Sequence, residues 1–138
     1  MISRRKARRQ ALVLVYQWDL SANEIGSQYP GELDTWAVEL AHATIAESEA
    51  LDARISAASH DWTADRLGTV ERSALRVAIT ELVRADVPEE VVIAEAVAFV
   101  KRYASEEGAK LVNGILGSIQ RESGADTTEA EREETVSG

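Results

Sequence analysis

At 138 residues the chain fits one domain that buries roughly two-thirds of the surface its unfolded form exposes, and 45 % apolar content is enough for a core. The absence of cysteine excludes disulfides, thiolate metal sites and a cysteine nucleophile. A formal charge of −9 excludes a general polycation, yet five of the 15 basic side chains, Arg4, Arg5, Lys6, Arg8 and Arg9, crowd into residues 4 to 9.

Ser3 can cap a first helix running to about Leu20, because Ala7, Ala11, Leu14, Val15 and Trp18 recur at helical spacing. Ser21 to Gly31, with Asn23, Gly26 and Pro30, reads as a loop. Asp34 then caps a segment with an apolar face of Trp36, Val38, Leu40, Ala41 and Ile45, and a short helix covers Ala50 to Ala58; the two are equally readable as one bent helix. Asp61 to Gly68 reads as a turn with room for one helical turn. Thr69 opens a strong helix through Val70, Ala74, Val77, Ala78, Leu82 and Ala85.

Asp86-Val87-Pro88 stops that helix, since the residue before a proline is pushed out of the helical region. The β-branched run Val91-Val92-Ile93 would suit a buried strand, but Val92, Ala96, Val97, Val100 and Tyr103 repeat at helical spacing, with Pro88 suited to the first helical position. A last helix from about Glu106 to Glu122 carries Leu111, Val112, Ile115, Leu116 and Ile119. Gly114 and Gly117 inside it each cost about 1 kcal/mol relative to alanine, which predicts close packing against another helix there. Residues 1–123 form the helical domain, and 124–138, rich in Thr, Glu and Ser, read as an acidic disordered tail.

Catalytic chemistry lacks support. His42 and His60 have no carboxylate or second histidine at metal-ligand spacing, and no phosphate-cradling glycine loop or nucleophile elbow occurs. The reading is a binding protein, not an enzyme, with no cofactor or metal. The basic start runs into Gln10, Trp18 and Asp19 rather than a signal-peptide core, and no apolar run approaches the ~20 residues of a membrane span, so a cytoplasmic protein with no membrane partner is expected.

Residues 1–10 hold +5 and residues 125–138 hold −4, leaving −10 for the body. A cationic helix start opposes the backbone dipole, and Arg4/Arg8 and Arg5/Arg9 are like-charged neighbours one turn apart, each effect costing roughly a few tenths of a kcal/mol. An external polyanion would offset that cost, and the helix start should fray without one. Arg5, Arg9, Leu12 and Tyr16 fall on roughly one face, combining cations with a ring on which the bases of single-stranded RNA can stack. Tyr16 is equally readable as a core or rim aromatic, and Trp18 as core. Lys101, Arg102 and Lys110 return positive charge that would border the same groove if the last two helices pack on the first, although ordinary solvated side chains explain them too.

The blocks Arg4-Arg-Lys-Ala-Arg-Arg, Ala11-Leu-Val-Leu-Val-Tyr-Gln-Trp18, Thr69-Val-Glu-Arg-Ser-Ala-Leu-Arg-Val-Ala-Ile-Thr-Glu-Leu82, Asp86-Val-Pro88, Ile93-Ala-Glu-Ala96 and Leu111-Val-Asn-Gly-Ile-Leu116, in that order, resemble the NusB family of transcription antitermination factors over residues 3 to 122. The resemblance implies an all-α fold of two small antiparallel helical bundles packed together, with six to seven helices. It implies binding to the boxA element of nascent ribosomal RNA, jointly with the ribosomal protein NusE, and indirect contact with other Nus factors and RNA polymerase. It assigns RNA contact to Arg4, Arg5, Lys6, Arg8, Arg9 and Tyr16 and, in the last helix, to Lys110 and Asn113, with Lys101 nearby. Glu71, Arg76 and Glu81 would face the NusE-like partner, Glu81 through an ion pair or simply as a solvated acid, and Glu106 and Glu107 would modulate RNA affinity by repulsion. Leu111 departs from the pattern, where an aromatic often stands.

Two other readings stay open. One is a protein-interaction adaptor with a basic start and no direct RNA role. The weaker one is a helix-turn-helix DNA binder over Thr69 to Ala104, whose reading stretch would be apolar and carry Glu95. A homodimer is compatible with the apolar faces.

Overall fold

The computed structural model describes residues 2–60 and 62–137, with side-chain surroundings as far as Glu122. Six α-helices occur: α1 (Arg4–Ser21), α2 (Thr35–Ala46), α3 (Ser48–Ala58), α4 (Thr69–Arg84), α5 (Glu89–Tyr103) and α6 (Glu106–Ser137), with a 3-10 turn at Ala64–Arg66 and no strand among the described residues. The expected acidic tail, 124–138, falls outside the residues whose side chains are described.

Local chemistry sets the helix starts. The Ser3 hydroxyl accepts the Lys6 N–H at 3.2 Å, and the Asp34 carboxylate accepts that of Trp36 at 2.9 Å, each satisfying a donor that the first turn leaves unpaired. α1 and α4 end on Ala22 and Ala85 in the left-handed conformation, at φ 55° and 58°. Glu47, at φ −104° and ψ 16°, divides α2 from α3, so the segment that reads equally as one bent helix is two. Pro88 stands just before the first residue of α5 rather than on it.

α4 organises the molecule. Ser73 to Ile79 are buried without interruption, and the helix touches α1 and α2 on one side, α3 on another, and α5 and α6 beyond. That continuous burial follows from serving two helical groups at once, α1 with α2 and α5 with α6. Leu14, Val15, Leu40, Leu75, Ile79, Val100, Val112, Leu116 and Ile119 fill the core between them.

The packing expected at the α6 glycines is absent from Gly114. That residue is exposed, and a Cβ built there would meet no atom within 4 Å; at Gly117 it would meet only Arg121 of its own helix, at 3.3 Å. The close approach of α6 occurs instead at Gly108, which is buried and where an added Cβ would stand 2.5 Å from a Glu71 carboxylate oxygen.

Candidate nucleic-acid interface

The 3.6-residue turn of α1 sends the five N-terminal cations to different surroundings. Arg4 lies over the Trp36 ring of α2, its guanidinium carbon 4.3 Å from the centroid. Arg5 is 69 % exposed with Nε 3.3 Å from Glu95 of α5, and Lys6 and Arg9 are exposed. Arg8 turns inward.

Arg8 requires a correction. Only 3 % exposed, it donates from Nε and Nη2 to the two carboxylate oxygens of Glu81 on α4, at 2.5 and 2.9 Å. A bidentate pair out of water is costly to open, because either partner alone would be a buried uncompensated charge. Arg8 is therefore a structural cation rather than a phosphate contact, and Glu81, also 3 % exposed, is not presented to a partner protein. The like-charge repulsion expected at the helix start is in part relieved inside the fold, by Glu81 for Arg8, by Trp36 for Arg4 and by Glu95 for Arg5.

Arg76 needs the same correction. It is 5 % exposed, donates to both carboxylate oxygens of Asp52 at 2.8 and 2.7 Å, and lies 3.4 Å from Asp19. Burial works against its charged form, but hydrogen bonding and attraction from Asp52 and Asp19 outweigh it and raise its pKa above the ordinary arginine value. Arg72 meets the other Asp19 oxygen at 2.6 Å and donates to the Ala64 and Leu67 carbonyls, so these arginines pin α4 to α1, α3 and the 3-10 turn. Glu71 is half-buried, its carboxylate tucked between Gly68 and Gly108.

Arg5 and Arg9 line a trough of about 140 Å³ between α1 and α5, where they and Leu12 face Glu95, Ala98, Phe99, Arg102 and Tyr103. Tyr103 is 49 % exposed, and its ring lies 4.8 Å from that of Phe99 and 5.4 Å from the Arg102 guanidinium. The accessible ring beside the arginines is thus Tyr103, whereas Tyr16 is half-buried and outside the lining. Sequence reading counts Tyr103 only as an apolar repeat of its helix, and brings Arg102 to this groove only on the condition that the last two helices pack on the first. Their one signal is adjacency at a helix end, which acquires meaning only when α5 is seen to face α1.

Lys101 and Lys110 do not border this trough. With Asn113 they line a second groove, between α5 and α6, together with Val97, Glu106 and Ala109. The structure therefore brings Lys101, Lys110 and Asn113 together as a group separate from the N-terminal arginines. Glu106 sits on the rim, 3.9 Å from the Lys101 ammonium, and Glu107 is exposed next to it. Among the described residues no cluster of three or more metal-ligating side chains occurs, and no helix is long and apolar enough to cross a membrane.

Residues 5–121 match the model of the NusB family. The chain is 38 % identical over 130 residues to the transcription antitermination protein NusB of Anaeromyxobacter dehalogenans, covering 86 % of this chain and 92 % of that one. Among solved structures it is similar to T. maritima NusB, with a TM-score of 0.75, 33 % identity, and coverage of 88 % of this chain and 92 % of that chain. It is also similar to a structure of the antitermination factors NusB and NusE in complex with double-stranded RNA, with a TM-score of 0.74, 31 % identity, and coverage of 86 % and 96 %.

Proposed function

The chain belongs to the NusB family of transcription antitermination proteins, and on that premise we propose that it binds the boxA element of nascent ribosomal RNA together with the ribosomal protein NusE, suppressing premature termination as a cytoplasmic, non-catalytic factor. The observation that carries this reading is the trough between α1 and α5, where Arg5, Arg9 and Arg102 meet the exposed Tyr103 ring on a molecule of net charge −9. Guanidinium groups take phosphate charge and an exposed ring takes an unstacked base, which together is what a single strand requires. The exposed Lys6 adds charge at the start of α1, and Lys101, Lys110 and Asn113 extend the contact into the groove between α5 and α6.

The acidic body suppresses nonspecific adhesion and keeps affinity for RNA alone modest. NusE, as a basic partner, would supply the missing positive surface, and the other Nus factors and RNA polymerase would be reached through that complex. Glu106 and Glu107 would lower RNA affinity by repulsion beside Lys101 and Lys110, and Glu71 remains the acid of α4 offered to NusE.

Filter binding tests this reading with a single-stranded RNA carrying boxA, its scrambled version and a duplex form, each with and without NusE. The duplex arm answers the similar complex, which holds double-stranded RNA. Preference for boxA that strengthens with NusE is the expected result. Equal, feeble binding of all three would favour the adaptor reading.

A further inference from the structure

Next to the groove that holds Lys101, and sharing Lys110 with it, lies a third groove, of about 360 Å³, bounded by Ala58, Ser59, His60 and Trp62 on one wall and by α6 from Lys110 to Arg121 on the other. Trp62 is 48 % exposed there, a large apolar ring held in water outside the core. Lys110 and Arg121 bring two positive charges, and the described lining contains no carboxylate; Asp61, between His60 and Trp62 in sequence, lies outside the described residues. Three other grooves each carry a glutamate: Glu95 in the α1–α5 trough, Glu106 between α5 and α6, and Glu90 further along α6. A groove whose described lining holds two cations and no acid stands out in a protein of net charge −9.

The floor points the same way. Gly114 lines this groove and also the one beside Asn113, and a side chain there would meet nothing, so the α6 backbone lies open between the two. Lys110 likewise lines both this groove and that of Lys101. A chain molecule crossing α6 at Gly114 would keep a cation in reach on either side, since Lys110 also lines the groove of Lys101 and Arg121 also lines the one beside Asn113.

We propose that this groove is a second subsite for single-stranded RNA, in which Trp62 stacks a base while Lys110 and Arg121 hold the flanking phosphates. A tryptophan face accepts any base, and two cations at its rim suit a backbone rather than a single anion. The subsite rests on the RNA-binding reading above and extends the path of the strand across α6.

The test is a titration of the full-length protein, with NusE, using single-stranded RNA that carries boxA and extends past it on both sides. Trp62→Ala should weaken binding about tenfold, and Trp62→Phe, which keeps a ring, should stay within about threefold of the parent chain. Unchanged thermal unfolding would exclude misfolding, as expected at so exposed a position. RNA should quench tryptophan fluorescence in the parent, and the quench should shrink in Trp62→Phe although Trp18 and Trp36 remain. If the parent binds RNA and Trp62→Ala binds equally tightly with an unaltered quench, the subsite is overturned and the main reading stands. If the parent binds no RNA, both fall.

Discussion

At the scale of single residues, identical side chains four positions apart do unrelated work. Arg8 is held by Glu81, 73 positions away in sequence, whereas Arg4 rests on an indole ring. Arg8→Ala should therefore cost about 3–5 kcal/mol by leaving Glu81 buried and uncompensated, while Arg9→Ala should shift stability by no more than about 0.5 kcal/mol. Urea unfolding of both variants checks this. Replacing the pair together with Met and Leu should restore most of the loss, because the cost lies in the orphaned charge. Gly114→Ala should stabilise the fold by about 0.5–1 kcal/mol, since an exposed helical glycine sacrifices backbone entropy without gaining contact; destabilisation would mean that a neighbour packs there after all. These residues also mark where sequence reading ends. The caps at Ser3 and Asp34 are legible because their partners lie two or three positions away. The burial of Arg8 and Arg76 is not, because their carboxylates come from other helices.

At the scale of elements, hydrophobic periodicity reveals the helices, including α5 despite its β-branched start, but not which faces meet. α5 faces α1 through Phe99, Arg102 and Tyr103, and α6 through the side that bears Lys101, so cations adjacent in sequence serve separate grooves. That division moves the accessible ring from Tyr16 to Tyr103. Glu95 of α5 restrains Arg5 of α1 in a partly exposed pair. Glu95→Gln should free that guanidinium and strengthen RNA binding by about 0.5 kcal/mol, roughly twofold, with fold stability nearly unchanged. A weaker complex would show instead that the carboxylate positions Arg5 productively.

Across the whole molecule, the design is a basic trough on an acidic body, with α4 fixing the relation between the helix that carries Arg5 and Arg9 and the helix that carries Arg102 and Tyr103. Charge segregation is legible in the order of residues alone, and so is the family pattern. The two halves of the trough are not, since residues 5–12 and 95–103 meet only through folding. The most direct test compares the salt dependence of boxA RNA binding, with NusE present, for the parent chain and for Arg5→Ala/Arg9→Ala/Arg102→Ala. Each phosphate contact to a single strand contributes a log–log slope of about −0.7, so the triple variant should lose about 2 from its slope. Parallel lines for the two proteins would place the RNA elsewhere and contradict the assignment of this trough.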